Sequence, residues 1–145
     1  PPVLKAVARL SDEYGIPWIR RPFDFPLRPG AAPLAKRIVA RAFRVVRGGF
    51  EQALRERRCR MTDHFAGFAI TGRYTSSDVA ALIGSLPEGV TEFMTHPGHC
   101  TDELRAAKTR LKESRQAELE ALTAPETREA LAKHGVRLVG YRDLA

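Results

Sequence analysis

Strand and helix signals alternate along the 145 residues, and this predicts an α/β fold of about four parallel strands with crossover helices. Three observations carry the prediction. Four short runs rich in β-branched and aromatic residues occur at 16–20, 64–71, 90–95 and 136–141, each bounded by Gly, Pro or turn residues. Segments of helical period lie between nearly all of them. The chain is also long enough to bury roughly 70% of its unfolded surface in one domain, residues 1–145. Four strands are too few for a closed eight-stranded barrel, which takes about 250 residues. The sheet is therefore either small and open or part of something larger. Pro1-Pro2 running directly into a helical pattern favours the second reading.

The elements follow in order. Residues 2–14 place Val3, Leu4, Val7, Ala8 and Leu10 at helical spacing, with Gly15 as the stop. Ile16-Pro-Trp-Ile-Arg20 reads as a short strand whose proline sits near its start, where a missing N–H matters least. Four prolines over 21–33 dictate a loop. Pro33 then suits the first turn of a helix to about Arg58, whose stripe is Leu34, Ile38, Ala42, Val45/Val46, Phe50 and Ala53/Leu54. Gly48-Gly49 weakens its middle by about 1 kcal/mol per glycine. Residues 64–71 form the next strand, with Gly67 marking a close backbone approach. Thr75 or Ser76 caps a helix over 77–85. A turn at Pro87-Glu-Gly89 leads into the strand at 90–95, which His96-Pro-Gly98 stops. Thr101 caps a helix that carries its period through Leu104, Leu111, Leu119 and Leu122. Pro125 opens another to about His134, and 136–141 closes the chain as a strand.

Composition narrows the function classes. Hydrophobic residues make up 43% of the chain and charged residues 28%, which excludes a disordered protein. No apolar run approaches the ~18 residues of a membrane span, and no signal peptide is visible, so a cytoplasmic location is expected. Cys59 and Cys100 are too few for a disulfide scaffold and match no zinc ribbon. The net charge of +7 is uneven: residues 1–60 carry 14 Lys/Arg against 5 Asp/Glu, and residues 61–145 carry 10 against 12. A basic half raises the prospect of an anionic partner. Without interleaved aromatics or a recognised motif, nucleic acid is not favoured, and Lys36, Arg37, Arg41, Arg44 and Arg47 read as a solvated helix face.

In parallel sheets, functional groups collect just past the C-terminal ends of strands. Arg20 and Arg21 end the first strand, Asp63 and His64 precede the second, and Glu92 to Cys100 follows through the third. His96, at that strand's end and held by Pro97-Gly98, suits proton transfer because imidazole as a side-chain type exchanges protons near neutrality. His96, His99 and Cys100 lack a further ligand pair at metal spacing. Dinucleotide fingerprints, P-loops and Gly-x-Ser-x-Gly are absent.

The stretch LPEGVTEFMTHPG at 86–98 resembles a segment of the YdjC-like carbohydrate deacetylases. RQAEL at 115–119 with Leu122, GVRLVGYRDL at 135–144, WIRRP at 18–22 and TDHFAG at 62–67 are similar to further motifs of that family, in the same order. DHFAGFAITG at 63–72 with RLKESR at 110–115 resembles most the hopanoid-biosynthesis-associated branch. The resemblance implies the C-terminal half of a distorted TIM-like (β/α) barrel. It further implies hydrolysis of the N-acetyl group of an amino sugar, with an N-acetylglucosaminyl hopanoid as substrate in the hopanoid branch. One divalent metal, Mg or Zn, would polarise the amide and activate water, a carboxylate would act as base, and a histidine would assist the leaving amine.

Carried over by residue, His96 is the catalytic histidine. Arg20 contacts substrate or orients the site, Asp63 and Glu92 orient active-site groups, and Arg115 balances a carboxylate. The family's paired aspartates and metal-binding histidines precede the point where this sequence begins, so the metal ligands are expected outside these 145 residues and the isolated chain is expected to be inactive. Open sheet edges would favour a homo-oligomer. A basic N-terminal half suits peripheral contact with an anionic membrane carrying a lipid-linked sugar. The alternative is an inactive binding or self-assembling module whose basic helix meets acidic lipid or nucleic acid.

Overall fold

The computed structural model describes residues 2–23 and 47–144, which fall into two compact units. The predicted loop at 24–33 and the helix from Pro33 through Lys36, Arg37, Arg41 and Arg44 lie outside the described residues.

The first unit comprises Pro1–Ala69 with Gly89–Phe93. Its first helix, α1, spans Pro2–Tyr14 as the apolar spacing predicts. Leu4, Ala8 and Ser11 form its buried face, three positions at helical spacing. Leu4 and Ala8 make a core with Leu54, which is completely buried, and Cys59, bordered by Ile19, Phe50, Ala53 and Met61. A second helix, α2, is described over residues 47–55. Arg58 closes it in the left-handed region at φ 54°, and the Cys59 N–H reaches back to the Leu54 carbonyl at 3.0 Å. Phe23 packs edge-on to Phe50 with centroids 5.3 Å apart.

Two strands form a parallel pair, β1 (His64–Ala66) and β2 (Thr91–Phe93), with Phe65 opposite Glu92. The predicted strand at 64–71 ends at Ala66 because Gly67 takes φ 119°, a conformation no strand residue adopts. The predicted strand at 16–20 contracts to a single parallel bridge between Trp18 and Arg60. Arg60 donates its N–H to Pro17 O at 2.7 Å and accepts one from Ile19 at 2.9 Å. Proline at 17 offers no donor, and this leaves one bridge where a longer ladder was expected.

The second unit comprises Ile70–Glu88 with Met94–Ala145. Helix α3 (Ser76–Ile83) begins with a capping box: Thr75 accepts the Asp78 N–H, and the Asp78 carboxylate accepts the Thr75 N–H. It buries Val79, Leu82 and Ile83. The helix predicted from Thr101 through Leu122 is two helices, α4 (Asp102–Ala106) and α5 (Glu113–Thr123). A continuous helix would align Arg105, Lys108 and Lys112 at i, i+3 and i+4 spacing, where like charges repel. The break instead lets the Lys112 ammonium meet the Arg105 carbonyl, at 2.5 Å, at the end of α4. Pro125 opens α6 (Pro125–Lys133), as expected, and α3, α5 and α6 pack together. The predicted strand at 136–141 does not form: residues 136–140 have no ladder partner among the described residues. The Gly140 N–H goes to the Asp143 carboxylate at 2.7 Å, and a 3₁₀ turn spans Tyr141–Leu144. The described residues thus hold a two-stranded parallel sheet and a bridge, not a barrel of four strands. Among them, no helix is long and apolar enough to cross a membrane.

Candidate active site

In the second unit, His96 stands three residues beyond the end of β2 and is half-buried. Its ring Nδ1 lies 2.9 Å from Thr71 Oγ1, and that hydroxyl lies 3.2 Å from Glu118 Oε1. Glu118 is 1% exposed, on the buried face of α5. Oε1 also accepts the Gly72 N–H at 2.6 Å, while Oε2 accepts the His96 N–H at 2.6 Å and the Tyr74 hydroxyl at 2.9 Å. One carboxylate therefore binds the backbone of His96, the residue after Thr71, and two hydroxyls.

Burial alone would push the Glu118 pKa up, but the His96 and Gly72 N–H groups and the Tyr74 and Thr71 hydroxyls outweigh it and hold the carboxyl below its ordinary value. Burial chiefly, and then the neighbouring Glu118 charge, drive the Tyr74 phenol strongly upward. The site thus holds an ionised carboxylate solvated by neutral donors beside a neutral phenol.

Arg115 lies on α5 beside the same turn. Its carbonyl accepts the Gly98 N–H at 3.1 Å and its Nε donates to the Leu111 carbonyl at 3.2 Å. These two backbone contacts hold the turn behind His96 in place, and Arg115 forms no ion pair with another described residue. His99 is exposed, and Cys100 donates its backbone N–H to Gln116 Oε1 at 3.3 Å.

The first unit holds the other expected residues. Arg20 Nε meets Glu92 Oε1 at 2.5 Å, with the guanidinium 5.8 Å from the centroid of the Phe65 ring. Phe65 and Glu92 are opposite each other in the sheet, so β1 and β2 place both of Arg20's neighbours. The Glu92 side chain is only 10% exposed, whereas that of Arg20 is 53% exposed. Asp63 has a different task. Its Oδ2 accepts the Val90 N–H at 2.8 Å, and a Cβ on Gly89, whose φ is 106°, would stand 2.7 Å from that oxygen. Only glycine fits there, and the Asp63 carboxylate fixes the turn that delivers β2.

Sequence reasoning passed over Glu118, Thr71 and Tyr74 as site residues, and over the neighbouring unit's Arg21–Glu51 pair at 3.0 Å. A signal for Glu118 was present: it lies seven residues after Leu111 and four before Leu122, a carboxylate on an apolar stripe. Among the described residues, no three His, Cys, Asp or Glu side chains converge to hold a metal ion, and His96, His99 and Cys100 form no such group.

The chain is α/β, and its candidate site centres on a histidine three residues after β2 in the sequence whose backbone N–H is held by a buried carboxylate. The chain belongs to the YdjC-like family: a family model described as YdjC-like protein matches residues 1–133. Among solved structures, that of a "putative cellobiose-phosphate cleavage protein" from Enterococcus faecalis V583 is similar, with a TM-score of 0.67 and 19% identity. The match covers 98% of this chain and 47% of that one, so the chain spans less than half that protein's length. At this identity the likeness is one of fold alone. No curated protein matches the sequence.

Proposed function

We propose that His96 is the proton donor to the leaving amine in hydrolysis of an N-acetyl amino sugar. Water adds to the amide carbonyl and gives a proton to the carboxylate base that the resemblance implies. The C–N bond breaks as the imidazolium gives its Nε2 proton to the departing nitrogen, and the acetic acid formed ionises to acetate in solution. The observation that carries this reading is the Glu118–Thr71–His96 arrangement, which occupies one side of the ring through Nδ1 and leaves Nε2 for the reaction. Membership of the YdjC-like family supports carbohydrate deacetylation as the reaction class. The name of the similar solved structure, a "putative cellobiose-phosphate cleavage protein", is likewise one of carbohydrate chemistry.

Arg20 and Glu92 are assigned to substrate contact and orientation, because a half-exposed guanidinium anchored on a mostly buried carboxylate can meet sugar hydroxyls. Asp63 and Arg115 act by holding turns, at 89–90 and at 97–98. The finer reading is an N-acetylglucosaminyl hopanoid as substrate, with peripheral membrane contact. A divalent metal belongs to that reading, and among the described residues no three His, Cys, Asp or Glu side chains gather to hold it.

The test is acetate release from an N-acetylglucosamine-headed glycolipid and from an N-acetylglucosamine disaccharide, with the protein and its His96→Ala variant. Loss of a proton donor costs about 10²- to 10⁴-fold. Release by the variant within twofold of the parent would remove His96 from the reaction.

A further inference from the structure

We infer that Glu118 is a positioning residue which, through the Thr71 hydroxyl, holds the His96 imidazole as the Nδ1–H tautomer, so that Nε2 is the nitrogen that exchanges the proton. The inference rests on the His96 reading above for its catalytic consequence, but the tautomer itself can be observed without any reaction.

Four contacts carry it. Thr71 Oγ1 sits 2.9 Å from His96 Nδ1 and 3.2 Å from Glu118 Oε1, so one hydroxyl bridges ring and carboxylate. A hydroxyl has a single proton to give. An ionised carboxylate can only accept, and bonds to a charged acceptor are roughly twice as strong as neutral ones. The Thr71 proton therefore points to Glu118, and the oxygen's lone pair faces Nδ1, which must then carry a hydrogen. The alternative, with Thr71 donating to a bare Nδ1, would turn two lone pairs toward each other at the Glu118 contact.

The other two contacts make the bridge stiff. Glu118 also takes the N–H of His96 itself at 2.6 Å and that of Gly72, next to Thr71, at 2.6 Å. Both ends of the bridge are thus tied to one carboxylate by their backbones. Glu118 touches neither a reacting atom nor the ring; it acts through Thr71 and through the backbone.

The experiment is long-range ¹H–¹⁵N correlation of the histidine rings in ¹⁵N-labelled protein, above the imidazole pKa, with His96→Gln assigning the signal among the four histidines. Expected is a protonated, pyrrole-type Nδ1 and a pyridine-type Nε2 for His96. Thr71→Val, which keeps the shape but removes the hydroxyl, should return the ring toward the Nε2–H form, and Thr71→Ser should restore Nδ1–H. Glu118→Gln should behave as Thr71→Val if it folds; the Thr71 pair decides the matter if it does not. An Nε2–H ring in the parent protein, or an Nδ1–H ring that survives Thr71→Val, overturns the inference. In the acetate assay, Thr71→Val should lower kcat on the order of tenfold to a hundredfold with KM nearly constant, and Thr71→Ser should recover it. An Nδ1–H ring that responds to Thr71 in a protein releasing no acetate would uphold the positioning role and overturn the deacetylase reading alone.

Discussion

Each unit of the molecule draws a carboxylate largely out of water, fully for Glu118 and partly for Glu51, and each meets the resulting cost with different partners. Glu118, in the second unit, is surrounded by two backbone N–H groups and two hydroxyls, with no cation among the described residues. Glu51, in the first, is surrounded by arginines: Arg21 at 3.0 Å, Arg47 at 2.8 Å and Arg55 at 3.8 Å. In both, burial is the largest influence and raises the carboxyl pKa, yet the partners win and the net shift is downward. What differs is where the charge goes. Arginines neutralise Glu51 and fasten α2 to the segment carrying Arg21. Neutral donors solvate Glu118 without cancelling its charge, so a full negative charge persists one hydroxyl away from His96. A structural ion pair suits the first task, and only the second arrangement can direct a neighbouring ring.

The sharpest way to break this comparison is to delete the solvated carboxylate. Glu118→Ala removes four hydrogen bonds at once and leaves the half-buried His96 and Gly72 N–H groups without their acceptor. A cost of about 3–5 kcal/mol is expected, of the size seen when one member of a buried network is removed. Urea unfolding of parent and variant measures it. A cost under about 1 kcal/mol would mean that Glu118 is a bystander and that the turns at 72 and 96 hold themselves.

Next in size is the response to acid. The Glu118 carboxyl has a lower pKa folded than unfolded, so the unfolded chain takes up the proton first as pH falls. Its contribution is whole above the ordinary carboxylate value of 4.5 and is lost as pH drops through the folded value. Glu51 shares that sign and window. Tyr74 works at the other end: its raised pKa gives a contribution present below pH 10 and lost as the solution becomes more alkaline. Salt separates the two carboxylates. Screening weakens the Arg–Glu51 attraction but leaves N–H and O–H donors to Glu118 nearly untouched. Acid unfolding of Glu51→Gln should therefore converge with the parent at high salt, while Glu118→Gln should stay distinct. Convergence of both would erase the distinction between the two sites.

The same contrast explains what could be read from the chain itself. Helices α1, α3 and α6 were legible because periodicity, a capping Thr75 and an N-terminal Pro125 act within a few residues. The strands were less so. A strand exists only where a neighbour pairs with it, so 16–20 shrank to the Trp18–Arg60 bridge and 136–140 formed none. His96 was legible from its place between a strand and a Pro-Gly turn. Glu118, 22 residues further on, looked like one more helical glutamate, since its donors come from 71, 72, 74 and 96. The Asp63 carboxylate was expected to orient active-site groups; it meets Val90 and the bare Gly89 backbone, a contact that depends on the turn's φ and on no residue-type pattern.

The smallest expected effect probes the cationic side of the comparison. Arg47 is one turn of α2 before Glu51 and its side chain is 45% exposed, so water and salt share its charge. Arg21, whose side chain is only 12% exposed, keeps the carboxylate paired when Arg47 is lost. Arg47→Ala should cost about 0.3–0.5 kcal/mol at low salt, as exposed i,i+4 pairs do, and nothing measurable at high salt. Thermal unfolding at two ionic strengths reads this directly. A cost of several kcal/mol that persists in salt would mean that Glu51 depends on Arg47 as Glu118 depends on its hydroxyls and N–H groups, a closed network in which no partner is spare. The predicted redundancy would then be absent, and the first unit's carboxylate would be as much a built site as the second's.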